Sequence, residues 1–250
     1  MSSSVAAIVQ ARMGSTRLPG KSMMLLSGKP LVQRVLERIG NAKRIDVIIL
    51  AIPDTPENSV LEDLGKKMGV RVYKGSENDL VERYYQAAKI VKSDYVVRIP
   101  ADNPVPQGSE IDRIIDHHLQ LKRPGFSSNL SEIFNSGYPD GIGAEIFDTH
   151  FLEEIRKDFT SKIKREHVHL NFFDYQTQTQ VNENWCPVST IKCPSSFARP
   201  NLILDVNTNE QFIFMSELYD YLYPRNPLFG IEEIIDWFDN HYKGKLRKDS

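Results

Sequence analysis

Four times in roughly the first 120 residues, a short apolar run is followed by apolar residues at helical spacing. Val5–Gln10 (VAAIVQ) suits a buried strand. Pro30 then opens a helix whose Leu31, Val32, Val35, Leu36 and Ile39 make one face. Val47–Ile52 (VIILAI) is the clearest buried strand. Thr55-Pro56-Glu57 signals a helix start, Val60, Leu61, Leu64 and Met68 carry the stripe, and Gly69 stops it. Val70–Tyr73 is a third strand, before the stripe Leu80, Val81, Tyr84, Tyr85 and Ala88. Tyr95–Ile99 is a fourth, before Ile111, Ile114, Ile115 and Leu119. Strands alternating with helices pair in parallel through right-handed crossovers, so the expected class is α/β, a mostly parallel sheet flanked by helices. Ligands of such sheets sit outside the carboxyl ends of the strands. The loops after Gln10, Ile52, Tyr73 and Ile99 are therefore where chemistry is expected.

Beyond residue 125 the pattern loosens. Phe126–Asn129 and Ala144–Phe147 read as short strands around a loop with Gly137, Pro139, Gly141 and Gly143. Thr149–Ile155 and Lys164–Phe173 read as helices, and 177–200 is polar and proline-bearing. Leu202–Val206 reads as a strand, Asn209–Leu222 as a helix and Ile231–Tyr242 as an amphipathic end helix. The middle stretch is expected to form a smaller lobe or a dimer arm.

Charge sharpens the focus. The 250 residues carry a formal net charge of −2, yet the first 44 hold eight basic residues and only Glu37 as an acid. That segment is +7 on a body of −9, a distribution that suits a local anion site rather than nucleic acid. Arg34, Arg38, Lys43 and Arg44 are accounted for by a solvated helix face; Arg12, Arg17 and Lys21 are not. No apolar run reaches the roughly 20 residues needed to span a bilayer. The start lacks a basic region ahead of its apolar stretch, so a cytoplasmic location is expected. Cys186 and Cys193 form neither a metal nor a redox pair by spacing. His117 and His118 divide between surface and core, and Tyr84, Tyr85, Tyr219, Tyr221 and Tyr223 read as packing residues.

The informative loop follows the first strand: Gln10-Ala11-Arg12-Met13-Gly14-Ser15-Thr16-Arg17-Leu18-Pro19-Gly20-Lys21. Its glycines allow backbone N–H groups to approach a ligand, and three cations within ten residues suit a polyphosphate. The dinucleotide spacing GxGxxG is absent. A P-loop needs four residues between its glycines, and here five separate Gly14 from Gly20.

This run, followed by Gly28-Lys29-Pro30, closely resembles the signature of the spore coat polysaccharide biosynthesis protein F family. Those proteins stand with the acylneuraminate and 3-deoxy-manno-octulosonate cytidylyltransferases. Further blocks are similar: Gly75 to Tyr85, Ile99-Pro100-Ala101-Asp102-Asn103-Pro104, Tyr138-Pro139-Asp140-Gly141 with Glu145, and Arg165-Glu166-His167-Val168. The resemblance implies a Rossmann-like nucleotide-diphospho-sugar transferase fold in one domain. Residues 1–124 would be the nucleotide-binding half, 125–200 an acceptor or dimer lobe, and 201–250 the closing strand and helices. It implies transfer of CMP from CTP to a small acidic acceptor, with Mg²⁺, release of pyrophosphate and a homodimer, in surface polysaccharide biosynthesis. By match, Gln10, Ala11, Arg12, Gly14, Ser15, Arg17 and Lys21 would bind the nucleotide, with Asp79 and Arg83 nearby. Arg12, Lys21 and Asp102 would be catalytic. Tyr138, Asp140, Glu145, Arg165, Glu166 and His167 would face the acceptor. No nucleic-acid or membrane partner is implied.

The second metal position departs from the family. Its members carry an aspartate near the last strand where this chain has Asn207, in Leu204-Asp205-Val206-Asn207. Residues i and i+2 of a strand share a face, so Asp205 can supply the charge and join Asp102 as a metal ligand. Two alternatives stay open: a glycosyltransferase of related fold, and a non-catalytic nucleotide-binding relative.

Overall fold

A computed structural model describes residues 3–158 and 161–244. In chain order it contains β1 (Val5–Gln10), the short ribbon β2 (Leu25–Leu26) and β3 (Lys29–Pro30), α1 (Leu31–Ile39), β4 (Val47–Pro53), α2 (Ser59–Lys67), β5 (Arg71–Gly75), α3 (Leu80–Val91), β6 (Tyr95–Pro100) and α4 (Gly108–His118). Then follow β7 (Phe126–Ser128), β8 (Glu145–Asp148), α5 (His150–Ile155), α6 (Lys162–Glu166), the ribbon β9 (Phe173–Asp174) and β10 (Thr179–Gln180), β11 (Val188–Ser189), α7 (Asn209–Leu222) and α8 (Ile231–Asn240).

The central sheet has the order β11-β7-β8-β6-β1-β4-β5. β5, β4, β1 and β6 are mutually parallel, while β8 runs antiparallel to β6 and β7. Alternation along β1 divides the core. Val5, Ala7 and Val9 face a layer built by α1, α2, α4, α7 and α8. Ile8 faces the other layer, of α3, α5 and the Phe172–Phe173 stretch. Because β1 sends one neighbour to each side, a crevice opens at its carboxyl end between the loops after Gln10 and Pro100.

Residues 125–200 add β7, β8 and β11 to the central sheet, with β9 and β10 as a separate ribbon. Three expectations change. Lys164–Phe173 is not one helix. The chain leaves α6 at His167 with extended backbone (φ −127°, ψ 91°), makes a 3-10 turn over Val168–Asn171 and enters β9. Phe172 drives this break, because its ring packs against Phe126, Phe147 and Trp185. Leu202–Val206 alternates as a strand does but joins no sheet. Its partners are loops: Leu204 N–H donates to Asp140 O at 3.1 Å and Val206 N–H to Asp102 O at 2.8 Å.

Arg34 and Arg38 are not on a solvated face either; they are 1% and 7% exposed. Arg34 donates to Leu26 O at 2.8 Å and Ser27 O at 2.7 Å, and lies over the Tyr223 ring. Arg38 donates to Phe229 O at 2.6 Å and Pro106 O at 3.2 Å. A buried guanidinium is tolerated where carbonyls and ring faces replace its water. Among the described residues no helix is long and apolar enough to cross a membrane.

Candidate active site

The loop after β1 is held from several sides. Ala11 N–H donates to Ala51 O at 3.2 Å, and Met13 N–H to Asn58 Oδ1 at 2.9 Å. Gly20 N–H returns to Met13 O at 3.1 Å, and Ser22 Oγ donates to Arg12 O at 3.2 Å. Gly20 has φ +71°, a left-handed conformation that glycine adopts without strain, and there the chain turns Lys21 inward.

Opposite stands the Asp102 loop, tied to β1 by Ala101 N–H donating to Gln10 O at 3.3 Å. The 202–206 segment closes the third side and delivers Asp205 and Asn207. Together these walls enclose a cavity of about 440 Å³. Lys21 Nζ donates to Asp102 Oδ2 at 2.7 Å, Val206 O at 2.9 Å and Asn207 Oδ1 at 3.0 Å. Arg17 also donates to Asn207 Oδ1, at 2.9 Å. Asn207 Nδ2 donates to Asp205 Oδ2, and Gln211 Nε2 to Asp205 Oδ1 at 3.0 Å.

Burial and the nearby Asp102 push the Asp205 carboxyl up to about 6. Burial, with Asp205 and Asp102 close by, pushes Asp140 up to about 7. Carboxylates repel one another here, and a hard divalent cation would relieve that repulsion. Asp102, Asp205 and the amide oxygen of Asn207 are hard oxygen donors that suit one. Among the described residues, no set of three or more His, Cys, Asp or Glu is grouped for a metal. Two carboxylates completed by phosphate oxygens need no such set.

A second group of polar side chains lines the same cavity: Arg83, Arg98, Glu145, His167, His169 and Tyr175. Arg98 donates to the fully buried Glu145 at 2.6 Å, and Tyr175 Oη donates to its other oxygen at 2.8 Å. Burial, with Arg98 near, pushes His169 down to about 4; the same causes lower His167. The His169 ring is therefore neutral at pH 7. Burial, with Arg12 near, lowers Arg83 to about 10, so it stays cationic.

Of the residues singled out from the sequence, Gln10, Ala11, Arg12, Ser15, Arg17, Lys21, Arg83, Asp102, Asp140, Glu145, Glu166, His167 and Asp205 line this cavity. Four do not. Tyr138 is buried in the core, donating to Glu110 at 2.6 Å. Asp79 caps α3 by accepting from Glu82 N–H at 2.9 Å, and its other oxygen pairs with Arg165. That pairing occupies Arg165 as well, and Gly14 lies outside the lining. Arg98, Tyr175 and Glu77 also line the cavity and carry no sequence motif of their own. Arg98 sits inside an apolar strand, where a charge is costly without a partner, and that anomaly was the available signal. On one continuous helix His167 and His169, two positions apart, would point to different faces; the break after α6 brings their rings to 5.9 Å.

Sheet, crevice and flanking helices define a Rossmann-like nucleotidyltransferase fold. The chain belongs to the cytidylyltransferase family, whose sequence pattern matches residues 6–216, and it is a CTP-dependent nucleotidyltransferase. The uncharacterized protein MJ1063 of Methanocaldococcus jannaschii is 30% identical over 94% of this chain and 90% of its own. Spore coat polysaccharide biosynthesis protein SpsF of Bacillus subtilis is 29% identical over 85% of each. A 3-deoxy-manno-octulosonate cytidylyltransferase of Hydrogenovibrio crunogenus is 32% identical over 43% of this chain and 44% of its own. The solved structure of a cytidylyltransferase from Leptospira borgpetersenii superposes with a TM-score of 0.82. It is 25% identical and covers 96% of this chain and 95% of its own.

Proposed function

We propose that the cavity transfers CMP from CTP to a small acidic acceptor, a sugar acid or a phosphorylated or phosphonate metabolite, releasing pyrophosphate. The observation that carries this reading is that one cavity holds both the cationic loop after β1 and the Asp102–Asp205 pair. Arg12, Arg17 and Lys21 bind the triphosphate and offset the charge that accumulates on the departing pyrophosphate. Gln10, Ala11 and Ser15 line the nucleotide's bed. An acceptor oxygen attacks the α-phosphorus, the bond to pyrophosphate breaks, and positioning does most of the work.

Asp102 and Asp205, with Asn207 Oδ1, would hold Mg²⁺, which when bound supplies Lewis-acid stabilisation of the phosphoryl oxygens. Arg83 and Arg98 bring positive charge to an acidic acceptor. His167 and the neutral His169, with Glu145 and Tyr175, offer hydrogen bonds to hydroxyl groups. The 3-deoxy-manno-octulosonate cytidylyltransferase relative supports a sugar-acid acceptor, and the SpsF relative supports a role in polysaccharide biosynthesis. A cytoplasmic homodimer that pairs through the 125–200 segment belongs to the same proposal; light scattering on the eluting protein tests it.

The deciding experiment is a pyrophosphate-release screen. CTP, UTP, ATP and GTP are each offered with Mg²⁺ to nonulosonic acids, octulosonic acids and small phosphorylated or phosphonate acceptors. Release with CTP and an acidic acceptor is expected. Release with a neutral acceptor alone, or from no nucleotide in the panel, defeats the reading.

A further inference from the structure

Lys21 holds a position at odds with gripping a phosphate. An ammonium has three N–H donors, and Lys21 directs them at Asp102 Oδ2, Val206 O and Asn207 Oδ1, all within 3.0 Å. These are hard oxygens from two walls of the crevice, the loop after β6 and the segment before α7. Two of the three, Asp102 and Asn207, are also among the donors suited to a divalent ion. The side chain is only 14% exposed, so the ammonium is set among these oxygens and not loosely beside them.

We propose that Lys21 competes for the oxygens suited to a divalent ion, so that metal and triphosphate enter by exchange with it. The inference rests on the nucleotidyl-transfer reading of this cavity and adds a coupling to it. While Lys21 stays on Asp102 and Asn207, a divalent ion meets a site whose negative charge the ammonium already offsets in part, and a phosphate meets no free ammonium. When a triphosphate draws Lys21 away, the same oxygens are released to the ion. Each ligand therefore lowers the cost of the other's entry, and by linkage the effect is reciprocal. The neutral Asn207 belongs to this arrangement. It offers its amide oxygen to Lys21 and Arg17 and its amide N–H to Asp205, a bridge that an aspartate, having no donor, cannot make.

The test is a titration of the full-length chain with Mn²⁺ alone, read by loss of the free-ion electron paramagnetic resonance signal. Wild type, Lys21→Met and Lys21→Gln are compared, with circular dichroism melts reporting that each folds. Removal of the ammonium is expected to tighten Mn²⁺ binding by at least about tenfold in both variants. In Asp102→Asn/Lys21→Met that gain is expected to vanish, which assigns it to this oxygen cluster. Unchanged or weaker Mn²⁺ binding in whichever Lys21 variant folds overturns the exchange. The nucleotidyl-transfer reading is judged separately, by calorimetric binding of CTP to wild type and by the pyrophosphate screen, so either idea fails without concealing the other.

Discussion

Asp102 and Lys21 are 81 positions apart in the chain and 2.7 Å apart in the fold. Asp102 also faces the cavity near Asp205, so losing its carboxylate removes an ion-pair partner and, on the proposed reading, a metal ligand. Asp102→Ala is expected to lose more transition-state stabilisation than the roughly 3–4 kcal/mol associated with one oxyanion donor. Steady-state pyrophosphate release at saturating Mg²⁺ and CTP measures it, and near-normal turnover contradicts the assignment. Asp79 makes the opposite point. It stands in a block that resembles the family's, yet capping α3 and pairing with Arg165 occupy both oxygens. A short capping side chain at a helix start and a ligand-binding one look alike in sequence, and only the partner in space separates them.

At the scale of elements, a polar seam joins α4 to β7, β8 and β11. His118 Nδ1 meets Ser127 Oγ at 2.8 Å, and Ser127 meets Ser189 Oγ at 2.8 Å. Gly125 N–H donates to Asp148 Oδ2 at 2.9 Å, and His118 Nε2 lies 3.3 Å from the same oxygen. Burial by itself raises the Asp148 carboxyl, but the hydrogen bonds from His118 and Gly125 outweigh it and hold the group below the usual range. A depressed folded value stabilises the protein above the unfolded value near 4, and the gain is lost as pH falls through the folded value. Asp148→Asn is expected to cost about 1–2 kcal/mol at pH 7, and the deficit is expected to shrink below about pH 4. Urea unfolding of both proteins at pH 7 and pH 3 checks the sign; a deficit that grows with acid refutes it. At α7, Thr208 and Gln211 form a reciprocal cap, and Gln211 also donates to Asp205. Thr208→Ala should therefore lose about 1 kcal/mol by the same measurement.

On the scale of the whole molecule, two arginines read as surface charge tie the N-terminal segment to the C-terminal helices. Arg34 joins the β2–β3 turn to Tyr223 just past α7, and Arg38 joins α1 to Phe229 ahead of α8. Arg34→Met leaves the Leu26 and Ser27 carbonyls without their side-chain donor and is expected to destabilise the fold by about 2–4 kcal/mol. A surface-like effect below about 0.5 kcal/mol would contradict the burial. What could be read along the chain was whatever local periodicity and local chemistry encode. That includes the βα units, the parallel sheet, and the cationic loop after Gln10 with Asp102 at the neighbouring strand end. What could not be read required distant backbone to supply partners. Arg34 is buried because carbonyls and a ring from elsewhere replace its water. His169 joins His167 because aromatic packing breaks a helix that spacing alone would continue. Asp205 was legible as a companion of Asp102, but not that loops, with no sheet, would hold its extended segment. Hydrogen-bond satisfaction and packing of this kind are properties of the folded arrangement, and no window of neighbouring residues contains them.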